Sequence, residues 1–132
     1  MNELTIEQIE KMSCAAREES LRIGTGVTIA IADRGGALMY LQRFPGAILP
    51  SIEIAQNKAY TSAVLGMSTA EFGKIAQPGG SAFGINVTVP KLIIFGGGLP
   101  IIKDGTVIGG IGISGASAEE DEQIANFALS VL

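Results

Sequence analysis

Apolar positions open the chain at helical spacing. Ile6, Ile9, Met12 and Ala16 fall on one face of a 3.6-residue repeat. Thr5-Ile6-Glu7-Gln8 has the form of a capping box, with Leu4 and Ile9 at the staple positions. The pattern predicts a helix to about Ile23, stopped by Gly24. The period then shortens to two. Val27 to Ala32 places β-branched residues at every second position, Asp33-Arg34-Gly35-Gly36 supplies turn chemistry, and Ala37 to Arg43 returns as a partner strand. A second helix is predicted from about Ser51 to Leu65, stopped by Gly66. It carries Ile52, Ala55, Ala59 and Ala63 on one face, small enough to admit another backbone closely. Ser68-Thr69-Ala70-Glu71 reads as a second capping box. It starts a short helix that ends at Pro78-Gly79-Gly80.

The C-terminal half reads as strands. Lys91 to Phe95 is expected to be one, Gly96-Gly97-Gly98 a bend, and Leu99 to Lys103 the next. Asp104-Gly105 is a two-residue hairpin signal leading into Thr106 to Ser114. Glycines 109, 110 and 112 interrupt that last strand, where glycine marks a bulge or the close approach of a backbone or ligand. Ser117-Ala118-Glu119-Glu120 is a third capping box, and Ile124, Phe127, Ala128 and Val131 form the stripe of a terminal helix. The expected order is α-ββ-αα-βββ-α: one α+β domain over residues 1–132, a five-stranded antiparallel sheet with packed helices.

Composition removes several function classes. The net charge is −4 and the nine basic residues are scattered, which argues against a nucleic-acid backbone as partner. No run of about 20 apolar residues offers a membrane span. The acidic, polar start has no signal-peptide pattern, so the expected location is cytoplasmic. Charged residues make up 17 %, below the roughly 25 % usual in soluble domains, which points to surface covered by another subunit. The chain has no histidine. A Ser-His-Asp triad and a haem held by a proximal histidine are therefore excluded, and a zinc site lacks its ligands. The one cysteine, Cys14, rules out an internal disulfide and reads as a small core residue near the buried face of the first helix.

Few residues remain to carry chemistry. Arg43 ends a strand and Lys58 sits within an alanine-rich helix; either can hold a carboxylate, and a buried Lys58 can act as a base. Gly96 to Gly98 is read as a tight connection, with an anion-binding nest of amides as the alternative. Glu7 with Glu10, and Glu119 with Glu122, are paired carboxylates that read as first-turn residues favoured by the helix dipole. Tyr40, Tyr60 and the methionines read as packing residues.

Together these segments resemble a known family. Ala32-Asp33-Arg34-Gly35-Gly36-Ala37-Leu38, then Arg43 with Gly46-Ala47, resembles the first hairpin of the GlcG/HbpS family. Lys58-Ala59-Tyr60-Thr61-Ser62-Ala63 resembles its central helix, and Gly96-Gly97-Gly98-Leu99-Pro100-Ile101 its glycine turn. Asp104-Gly105 through Gly109 to Gly115, with Asp121 and Ala125, resembles its closing hairpin and helix. The resemblance implies a profilin-like sandwich and a homo-oligomer, a tetramer or octamer. It also implies an accessory protein for haem, another tetrapyrrole or a small anionic ligand, linked to diol, glycerol or glycolate catabolism. Arg43, Lys58, Thr61, Gly96, Gly97 and Gly98 are the implied pocket residues, with Lys58 the one catalytic candidate. Any haem must be held without histidine. Two alternatives stand beside this reading: a small catabolic enzyme using Arg43 and Lys58 on an anionic metabolite, and a structural homo-oligomer with no chemistry of its own.

Overall fold

The first capping box closes in both directions. Gln8 N donates to Thr5 Oγ1 (3.1 Å) and Thr5 N donates to Gln8 Oε1 (2.9 Å). From it runs α1, Ile6–Ile23, ended by Gly24 at φ 87. These details come from a computed structural model that describes residues 3–132. The hairpin follows as β1 (Thr28–Asp33) and β2 (Leu38–Arg43), its turn tied by Asp33 Oδ1, which accepts from Gly35 N and Ala37 N. Next come α2 (Ser51–Leu65), α3 (Thr69–Ala76) and a four-residue α4 (Ile85–Thr88) that the sequence pattern did not announce. The chain closes with β3 (Gly98–Lys103), β4 (Thr106–Ser114) and α5 (Ala118–Leu129). Asp104 and Gly105, both at positive φ, make the β3–β4 turn.

The sheet has four strands in the order β2-β1-β4-β3, all antiparallel, and not the expected five. Lys91 to Phe95 forms no strand. Its backbone bonds instead to a side chain of α2: Thr61 Oγ1 donates to Lys91 O (3.1 Å) and accepts from Ile93 N (3.0 Å). Lys91 O and Ile93 N, two of the groups a ladder would pair, are thereby taken.

Both faces of the sheet are covered. Ile29, Ile31, Ile111 and Ile113 point to one side and pack with Met12, Ala16, Ile124, Ala125 and Ala128 of α1 and α5. The other side carries Ala30, Ala32, Gly110 and Gly112, under α2. A Cβ at Gly112 would lie 2.1 Å from Ala55 O, and one at Gly110 would lie 2.4 Å from Ala59 O. Gly110 and Gly112 thus mark a close approach by the α2 backbone, while at Gly109 the close neighbours are Ala32 O of β1 and the Leu4 side chain. No helix among the described residues is long and apolar enough to cross a membrane.

Candidate functional site

Lys58 faces the sheet from α2 and is 1 % exposed. The absence of a side chain at Gly112 and Gly97 makes its room: a Cβ at Gly97 would lie 2.5 Å from Lys58 Nζ. Nζ donates to Ile113 O (2.7 Å) and to Asp121 Oδ2 (3.0 Å), and sits 5.2 Å from the centre of the Phe95 ring. Asp121 Oδ1 accepts from Ala116 N (3.0 Å). One ion pair therefore joins α2, the end of β4 and the first turn of α5. Desolvation pushes the Lys58 ammonium below its ordinary pKa and the Asp121 carboxyl above its own, while their mutual attraction opposes both shifts. A lysine with a lowered pKa has the electrostatics of a base, but this one is enclosed and hydrogen-bonded on both sides.

The other sequence candidates separate. Thr61 is fully buried and shares its one hydroxyl proton between Asn57 O (2.7 Å) and Lys91 O (3.1 Å), and with the bond it accepts from Ile93 N it ties the 91–93 segment to α2. Gly98 N donates to Thr69 Oγ1 (2.9 Å), and Gly97 O accepts from Ile113 N (2.9 Å). Gly96 is packed against Ala118 O. Lys58 thus meets the glycine turn at Gly97 and Gly98, whereas Thr61 binds the 91–93 segment. Arg43 does not join them. It lies exposed on the edge strand β2, and its Nη1 donates to Ala47 O (3.1 Å).

Cys14 is exposed, contrary to its reading as a core residue. Ala15 and Ala16 take the buried phase of that turn and rotate Cys14 outward. Ile6, expected in the apolar stripe, is likewise 75 % exposed. The open concavities flank α1 and α2. A groove of about 540 Å³ along α1 is lined by Glu7, Glu10, Lys11, Cys14, Glu18 and Val131, so three carboxylates surround the cysteine. One of about 450 Å³ at the other end of the helix is lined by Arg17, Leu21, Gln42, Phe44 and Pro45. Cys14, Arg17 and Leu21 stand at i, i+3 and i+7, so one outward stripe of α1 connects the two. A cleft of about 420 Å³ lies between the first hairpin and α2. Sequence reasoning missed the α1 stripe because its residues differ in polarity and show no periodic signal. Among the described residues, no group of three or more acidic or Cys side chains is arranged to hold a metal ion.

This architecture has close counterparts. An uncharacterised 15.0 kDa protein in the dhaT-dhaS intergenic region of Citrobacter freundii is 39 % identical over 127 residues, covering 96 % of this chain and 89 % of that one. The corrinoid adenosyltransferase PduO of Salmonella typhimurium is 34 % identical over 130 residues. That match takes in 98 % of this chain but only 39 % of the longer PduO. The crystal structure of the PduOC:haem complex superimposes with a TM-score of 0.97 at 33 % identity, covering 99 % of this chain and 96 % of that one. A family model described as haem degrading protein HbpS-like matches residues 4–130, and the chain therefore belongs to the HbpS-like family.

Proposed function

We propose that this protein is a tetrapyrrole-binding accessory protein that holds haem on the outer face of α1 and serves the catabolism of a diol, glycerol or glycolate. The observation that carries the reading is the near-coincidence of its fold with that of a relative complexed with haem. The α1 stripe fits the group. Leu21, 73 % exposed, and the exposed Pro45 offer an apolar bed over the buried Phe44, and Arg17 offers a bidentate partner for a propionate. Cys14 offers a sulfur ligand where histidine is absent. Haem bound there supplies the iron chemistry; the protein supplies the sulfur, the propionate anchor and the apolar bed. Lys58, Thr61 and Gly96 to Gly98 serve this reading as scaffold. The Lys58 ammonium, the Thr61 hydroxyl, Gly97 O and Gly98 N are spent on internal bonds, and the proposed site needs open groups.

Self-association belongs to the same proposal. Leu38, Met39 and Leu41 are exposed on the edge strand β2, and Phe83 and Val87 are exposed around α4. Apolar residues on an open sheet edge call for a covering partner, and a second copy of the chain meets that need.

Titration with hemin tests the binding. A saturable, equimolar Soret shift is expected, weakened about tenfold by Arg17→Ala through loss of a charged hydrogen bond. A featureless spectrum that never saturates would rule the function out.

A further inference from the structure

The cleft between the first hairpin and α2 is separate from the α1 stripe and differs from it in chemistry. Glu53, Gln56, Asn57 and Tyr60 stand at i, i+3, i+4 and i+7 of α2, so they form a single row along one side of it. Lys91 closes the end of the row. Its Nζ lies 5.0 Å from the centre of the Tyr60 ring, a cation–π contact that fixes a flexible side chain in place. The ring is itself fixed. It packs against Gly36 of the hairpin turn, where a Cβ would come within 2.6 Å of it. Among the described residues, neither Lys91 nor Glu53 is in a salt bridge.

The cleft therefore presents an unpaired carboxylate at Glu53 and an unpaired ammonium at Lys91, which sits over Tyr60, two helical turns or about 10 Å along α2 from Glu53. Neutral amides lie between them. An anion alone would meet Glu53, and a cation alone would meet Lys91. A ligand carrying both charges satisfies both ends and leaves its middle to Gln56 and Asn57. We propose that this cleft binds a small zwitterion of extended shape, its carboxylate at Lys91 and its ammonium at Glu53.

Calorimetric titration of the full chain with glycine, 4-aminobutyrate and 6-aminohexanoate tests this, with hexanoate and hexylamine as one-charge controls. The proposal expects affinity to rise with length. It expects 6-aminohexanoate to bind about tenfold more tightly than glycine or either control, the worth of one charged hydrogen bond. Lys91→Gln and Glu53→Gln, both surface changes, should each reduce it to the level of the controls and leave the hemin titration unchanged. Equal binding of hexanoate or hexylamine, no heat with any of the three zwitterions, or full affinity in both variants would overturn it.

Discussion

Lys58 and Asp121 show how burial sets the worth of a single side chain. Each charge has left water, and each is stabilised by the other and by one backbone group. Removing one partner strands the other. Lys58→Met is expected to lower unfolding free energy by about 3–5 kcal/mol, read by urea denaturation. The double change Lys58→Met with Asp121→Leu should recover much of that loss, because two apolar groups leave no charge buried. Glu19 makes the pH-dependent case. Arg22 donates to both of its oxygens (2.7 and 2.8 Å), and Gln123 of α5 donates to one (2.9 Å). Chiefly the Arg22 hydrogen bond, then that of Gln123, holds its carboxyl at about 2, down from 4.5. A carboxyl depressed on folding stabilises the native state above its unfolded pKa. That contribution should be full above pH 4.5 and fade as pH falls towards about 2. Urea midpoints across this range should fall less steeply in Glu19→Gln; an identical slope would remove Glu19 as the cause. Lys58 was legible as unusual because a lone charge sat among alanines. Its pairing with Asp121 was not, since it bridges positions 63 residues apart. Cys14 was misread because a helical wheel drawn from sequence cannot fix its phase to within one residue.

Elements were the most readable scale where local chemistry decides. Two of the three boxes close reciprocally, at α1 and α5, while at α3 the Ser68 side chain accepts from Glu71 N. The bounds of α2 match the predicted Ser51 and Leu65. The missing fifth strand marks the limit of such reading. Lys91 to Phe95 has strand-like residues, but Thr61, 30 residues earlier, takes the bonds a ladder would use. The glycines of β4 were legible as a close approach, though not by what. The fit of α2 onto the sheet gives a sharp test. In Gly112→Ala, the added methyl meets Ala55 O and Ala59 N, both backbone atoms that cannot turn aside. Overpacking of this kind should cost about 1–3 kcal/mol, seen as a lowered denaturation midpoint. The same change at Gly105, where nothing lies within 4 Å of a Cβ, should be limited to the strain of its positive φ.

At the scale of the whole molecule, the three layers use up the interior and leave chemistry to the outside. The sheet is covered by α2 on one face and by α1 with α5 on the other. Its edge strand β2 and the 83–89 region remain apolar and open. Light scattering should therefore give a mass several times that of one chain, and a monomer at micromolar concentration would count against self-association. The missing histidine, plain in the sequence, governs the chemistry, and the fold adds that the one cysteine faces out. The most direct test is the absorbance of the hemin-loaded protein beside that of Cys14→Ala. The account predicts a saturable, equimolar spectrum with a thiolate-ligated Soret band that the variant loses. A spectrum that never saturates, or one identical in both proteins, would contradict haem held by Cys14 on α1.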